Sequence, residues 1–316
     1  MFWVLLSVVS FAVSSQIQSD RLSGEVAGIL GGGPFMFASP QTILVIGTDA
    51  LPPDEHEPGE QQTSQRCWNQ NASGETPQNG CAAGGADTLM LIRAGGGVFR
   101  TLSMSYDDLA TIPGYGPMKL DATYSLGGAK LTVQTVEQFL GVHINHVAIV
   151  DFTGFENFIN AIGSVSLKIP VRVCSKISGG YRDGGWTLNL SPGVHTLKGG
   201  QALAHARTRV NTCDVNYDDI NRGAAQQEVI SAIKARLTDV WRLAYNFLMG
   251  PVIAWDAPQA FVSDMGFFIM PQLALSAVIG GGSSPAVLEP SAVNSFGALV
   301  IPEAERHQAV KQLLDG

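Results

Sequence analysis

The chain has 316 residues, 45% of them hydrophobic, enough for one large domain or one domain with a small appendage. Its 27 acidic residues outnumber the 19 basic ones, a net charge of −8 that argues against a nucleic-acid partner, because binding a phosphate backbone relies on a basic surface. Any anion site must therefore be local.

The chain opens on FWVLLSVVSFAV, an apolar run from Phe2 to Val13. It is shorter than the roughly 20 residues that cross a bilayer, although SSQI extends it. An export signal or the tail of a membrane anchor over residues 1–19 is the expectation, with a Gly-rich tether over 20–41. No lysine or arginine precedes the run, and a start placed further upstream would restore a cytoplasmic lead.

TILVIGTDA at 42–50 reads as a short strand ending in glycine and a carboxylate. A polar stretch follows from Pro52 to Gly85, long enough to suggest a functional loop. It contains Cys67 and Cys81; the other cysteines are Cys174 and Cys213. None forms a CxxC or zinc cluster, so two disulfides are the economical reading for an exported chain, Cys67 with Cys81 and Cys174 with Cys213; four free thiols are the alternative.

ADTLMLIRA at 86–94 and VFRTLSM at 98–104 read as adjacent strands joined by GGG, the second delivering Tyr106, Asp107 and Asp108 at its end. Residues 124–140 have helical spacing, closed by Gly141. A strand, helix and strand over 146–171 make a plausible βαβ unit. Residues 197–209 read as a helix, and a longer one runs from 222 to 248 with an apolar side. After Gly250 clear periodicity is lost until a terminal helix, EAERHQAVKQLL. The expected fold is an α/β sandwich, αβα, with a central mixed sheet. Its main domain spans 42–249, and residues 250–316 form an extension packed on it.

Arg207 and Arg209 are two apart and converge only if their helix ends there, whereas Arg222 and Gln226 share one face of the next helix. Three arginines beside a loop suit a doubly charged oxyanion. They equally suit ion pairs with Asp214, Asp218 and Asp219, and spacing alone leaves both open. Asp49, Asp87 and Asp107 lie at or near strand ends; hard oxygen ligands beside a phosphate are the usual setting for Mg²⁺. His143, His146 and His195 have no ligand spacing, and no GxSxG, HExxH, Walker or Rossmann motif is present.

The succession ILVIGTD at 43–49, ADTLMLI at 86–92, TLSMSYDDLATIPGYGPMKLDATYSLGG at 101–128, VDFTGFENFINAIGSV at 150–165, LSPGVHTLKGGQALAHARTR at 190–209 and DINRGAAQQ at 219–227 resembles the LytR-CpsA-Psr family. The resemblance implies an extracytoplasmic enzyme anchored to the cytoplasmic membrane by an N-terminal helix. Such an enzyme moves a glycan phosphate from a polyprenyl-pyrophosphate carrier to a cell-wall glycan acceptor, peptidoglycan, the polymer being arabinogalactan or similar. It assigns Asp49 and Asp87 to Mg²⁺, and Arg207, Arg209, Arg222 and Gln226 to the pyrophosphate.

Four arginines of the family pattern are replaced here, by Leu51, Gly85, Tyr106 and Ala225. Lys119 or Arg93 could compensate at the phosphate. Asp107 is the candidate to orient or deprotonate the acceptor hydroxyl, with Arg207 and Arg209 as its catalytic partners. Trp68, Asn69 and Tyr106 are candidates for glycan binding. The competing function is a polyprenyl-pyrophosphate or glycan-binding protein with little turnover. A monomer is expected. The polyprenyl chain calls for an apolar cavity bordered by the 124–140 and 222–248 helices.

Overall fold

The computed structural model describes residues 2–22, 26, 28–48, 86–177, 185–208, 210–214, 219–281, 285–295 and 297–315. The pattern of apolar residues sets the register of the central sheet. β1 (Gln41–Thr48) pairs antiparallel with β2 (Ala86–Gly95), and β2 with β3 (Val98–Met104), so Leu44, Leu91 and Leu102 line up on one face. Val45, Met90 and Ser103 line up on the other. β6 (His146–Val150) runs parallel to β1 and adds Val147 to the leucine row. A one-residue slip would exchange the faces, which burial on both sides forbids. The mixed sheet is completed at its edges by β11 (Phe261–Ser263) beside β6 and β12 (Ala286–Val287) beside β3.

Each face is covered by helices. α2 (Ala122–Leu140) and α9 (Glu303–Asp315) bury Val133, Val136, Leu140, Ala309 and Leu313 on the leucine face. α5 (Asp219–Thr238) and α8 (Met270–Ile279) cover the opposite face through Ile230, Met270 and Leu273. The result is the αβα sandwich that the sequence leads one to expect. α2 stops where Gly141 takes a left-handed conformation, φ 69°, and donates its N–H to Glu137 O at 2.8 Å.

The βαβ reading of 146–171 is corrected. α3 (Phe152–Ala161) follows β6, but β7 (Val165–Ile169) leaves the central sheet and pairs antiparallel with β10 (Gly193–Leu197). The free edge of β6 is taken by β11, so no place beside it remains. β7 instead helps enclose a second core, with Ile159, Ile162, Leu167, Leu197 and Val229. Beside it, β8 (Val173–Ile177) pairs with β9 (Trp186–Leu190), and α4 (Gly199–Ala206) packs next to them.

The long 222–248 helix is also divided. α5 ends at Thr238, because the Asp239 side chain accepts from Trp241 N–H at 3.0 Å and starts a new turn. α6 (Leu243–Leu248) and α7 (Gly250–Gln259) follow. At the N-terminus, α1 (Phe2–Leu22) runs along α7 and β11. Leu22, Val26 and Met36 are buried in the cores, so the segment expected as a tether packs on the domain. Gly95, at φ 110°, admits Met36: a Cβ there would lie 2.0 Å from Met36 O.

Candidate functional site

The site lies where β1 ends and β2 begins. Gly47 is opposite Thr88 and Thr48 opposite Ala86, a break in register that leaves Asp87 as an extra residue on β2. Such bulges bend a strand and re-aim a side chain, and they gather beside active sites. Gly47 is required for the approach, since a Cβ there would meet Thr88 Cβ at 2.9 Å. Asp49 follows Thr48 directly in the chain. Asp49, Arg209, Cys67, Cys81, Trp68 and Asn69 lie outside the described residues, as does the side chain of Asp87. Among the described residues no three His, Cys, Asp or Glu side chains gather at metal-ligand spacing.

α5 brings its polar face onto this strand end. Gly223 sits close to Ser103, where a Cβ would lie 3.4 Å from the serine Cβ. Gln226 Nε2 donates to Thr88 Oγ1 at 2.8 Å and to Ala206 O at 3.3 Å, joining the residue after Asp87 to the residue before Arg207. Gln227 Nε2 donates to Ser103 Oγ and Ala286 O, both at 2.9 Å, and its Oε1 accepts from Thr101. One turn before Gln226, Arg222 is buried with its guanidinium carbon 4.1 Å from the centre of the Tyr106 ring. The aromatic face attracts a desolvated cation. Tyr106 thus supports the Arg222 cation.

Arg207 enters from α4, which ends at Ala206 as the convergence of the arginines requires. Its guanidinium lies 4.1 Å over the Phe152 ring, at the start of α3. The chain beyond is fixed by the Cys174–Cys213 disulfide, Cα–Cα 5.4 Å. Asn211 reinforces it: Oδ1 accepts from the N–H groups of Cys174 at 2.8 Å and Cys213 at 3.1 Å, while Nδ2 donates to Arg172 O at 2.7 Å. His205, two residues before Arg207, is buried with no hydrogen bond at either ring nitrogen among the described residues. Burial lowers its pKa to about 4.

The turn after β3 presents Asp107. Its carboxylate holds the Lys119 ammonium at 2.6 Å, from β5 (Gly116–Lys119), which pairs with β4 (Leu109–Ile112). That hydrogen bond raises the Lys119 pKa. Lys119, expected at the phosphate, is thus engaged by another of the predicted site residues. Asp121 stands beside them, its carboxyl pushed up by burial and then by the Asp107 charge. Asp108 shapes the turn by accepting from Ser105 N–H at 3.1 Å. Thr88, Phe152 and Asp121 lie inside the motif runs, yet nothing in their spacing marks them as site residues.

The two helices expected to border a lipid cavity cover opposite faces of the sheet, as α2 and α5. Beside Arg222, Gln226, Thr88 and Leu288 the free volume is about 10 Å³, about the space of one water. A larger open groove of about 370 Å³ lies between the β4–β5 hairpin, the end of α2 and Arg306 of α9.

The LytR_cpsA_psr family model matches residues 13–249. The polyisoprenyl-teichoic acid–peptidoglycan teichoic acid transferase TagT of Bacillus subtilis is 37% identical over 134 residues, 42% of this chain and 39% of its own length. The probable cell wall biosynthesis protein LcpB of Corynebacterium glutamicum is 27% identical over 200 residues, 63% of this chain and 45% of its own. The chain thus spans less than half the length of these two curated relatives. A solved structure, TagT bound to LIIa-WTA, superposes with a TM-score of 0.61 over 92% of this chain and 94% of that one, at 21% identity. With the family pattern covering three-quarters of its length, the chain belongs to the LytR-CpsA-Psr family.

Proposed function

We propose that the protein is an extracytoplasmic, membrane-anchored phosphotransferase that moves a glycan phosphate from a polyprenyl-pyrophosphate carrier to a cell-wall glycan acceptor. The observation that carries this is the Gln226 amide, which joins Thr88, beside Asp87, to Ala206, beside Arg207. It ties three separate motifs together, which supports their acting on one anion. The transferase activity in the name of TagT and the cell-wall role in that of LcpB support the same reading.

In this reading Arg207, Arg209 and Arg222 clamp the pyrophosphate oxygens, guanidinium matching phosphate in bidentate fashion. Asp49 and Asp87 would hold a Mg²⁺, which would offset the remaining phosphate charge. The acceptor hydroxyl oxygen attacks the phosphorus attached to the glycan, the bond from that phosphorus to the bridging oxygen breaks, and polyprenyl phosphate leaves. Asp107 takes the hydroxyl proton, and Lys119 orients its carboxylate.

The test supplies the full chain with a polyprenyl-pyrophosphate oligosaccharide, a peptidoglycan acceptor and Mg²⁺. Transfer should fall at least tenfold in Arg207→Ala and Asp107→Asn, with carrier binding weakened in the first alone. Unchanged transfer in both variants would overturn the proposal. The replacement of family arginines by Leu51, Gly85, Tyr106 and Ala225 favours a second reading, a carrier-binding protein. Tight binding without turnover in the parent chain, and turnover gained by Tyr106→Arg, would select it.

A further inference from the structure

α1 is built inside out. Ser14, Ser15, Gln18 and Ser19 are buried against the domain, whereas Phe2, Leu5, Val8, Val9 and Val13 face outward. Two of the buried hydroxyls bond to the domain, Ser14 Oγ donating to Trp255 O at 2.7 Å and Ser19 Oγ to Asp264 O at 3.2 Å. A helix on a water-facing surface has the reverse pattern. Small polar residues towards protein and apolar ones away from it are the arrangement of a helix that faces lipid. Phe2–Ser19, with mean hydropathy 1.4, is long and apolar enough to cross a membrane.

α1 does not present that face alone. The Trp3 indole donates to Phe247 O at 2.8 Å, Gly250 lies close enough to Ser7 that a Cβ would meet its Oγ at 2.9 Å, and Ser14 reaches Trp255. Residues 247–255 therefore run beside Trp3–Ser14, a length of about 16 Å at the helical rise. Trp241 is 91% exposed, and Leu243, Phe247 and Leu248 are exposed with it. Arg242 is the only charged residue between Val240 and Trp255, a cation suited to anionic headgroups.

We propose that the Val240–Trp255 segment is a second membrane-inserted element, forming with α1 one hydrophobic foot that embeds the edge of the domain in the bilayer. The proposal rests on α1 being the membrane anchor. The two elements are hydrogen-bonded side by side, so a bilayer that receives the outer face of α1 receives this segment with it. Attachment is then rigid, and it holds the Arg207 and Arg222 site at a fixed height above the lipid headgroups.

The test places the full chain in phosphatidylcholine–phosphatidylglycerol vesicles containing a phosphatidylcholine with a diazirine in its acyl chain, and maps photoadducts by mass spectrometry. Adducts are expected on peptides from α1 and on Val240–Trp255, with at least fivefold fewer around Val194, an equally apolar, exposed residue on β10. Trp241→Asp with Leu248→Asp, both on exposed side chains, should reduce adducts on Val240–Trp255 at least fivefold while α1 adducts persist. Adducts confined to α1 would overturn the proposal and leave the anchor intact. Absence from both elements would overturn the anchor as well. Protein–protein crosslinks at Trp241 without lipid adducts would give the face to a second copy and also overturn the proposal.

Discussion

Arg222 stacks on Tyr106, its guanidinium carbon 4.1 Å from the ring centre, where the family pattern has an arginine in place of the tyrosine. Two arginines so placed would repel, whereas the ring supports the cation. Tyr106→Leu should weaken carrier binding about tenfold, the loss of roughly 1.4 kcal/mol expected for a desolvated cation–π contact. Tyr106→Phe should stay within about twofold. Titration of a short polyprenyl pyrophosphate by calorimetry checks both, and equal losses would show that the hydroxyl rather than the ring face matters.

Gln226 holds the site through two acceptors on different elements. Gln226→Ala leaves Thr88 Oγ1 and Ala206 O without this donor, a cost of about 1–3 kcal/mol for buried polar groups. Denaturant unfolding should report that loss, with transfer reduced by more than stability alone explains. Gln226→Glu should be worse for an anionic ligand than Gln226→Ala.

The Cys174–Cys213 bond spans 39 positions and closes the segment that contains Arg207. In the chain-entropy model such a loop contributes about 4 kcal/mol. Cys174→Ser with Cys213→Ser should lower the unfolding free energy by up to about that amount. The double variant should also weaken pyrophosphate binding, because the turn after α4 loses its fixed end. Loss of stability with unchanged binding would confine the disulfide to a folding role.

His205 gives the fold a pH dependence of known sign. Its pKa is about 4 in the folded chain against an ordinary value of 6.5. Between those values the unfolded chain binds a proton that the folded one does not. The contribution to stability is therefore complete above pH 6.5, is lost as pH falls towards 4, and amounts to about 3 kcal/mol at the limit. His205→Phe should flatten the urea midpoint over this window. An unchanged profile would place the acid sensitivity on other groups.

The sequence made the strands and the helix-covered sheet legible, because β1, β2, β3 and β6 are short apolar runs bounded by glycine or polar residues. It also determined the family and most of the motif residues, since Arg207, Arg222, Gln226 and Asp107 belong to short runs whose order is legible without coordinates. What it left open was direction and partnership. Helical periodicity ran past Asp239 because a single capping carboxylate barely changes an apolar pattern. The path of β7 depended on whether β11, about a hundred residues later, would take the edge of β6. Only tertiary structure decided that Lys119 meets Asp107, that Arg222 rests on Tyr106 and that α2 and α5 lie on opposite sides of the sheet. Each is an arrangement set by packing that no local spacing records.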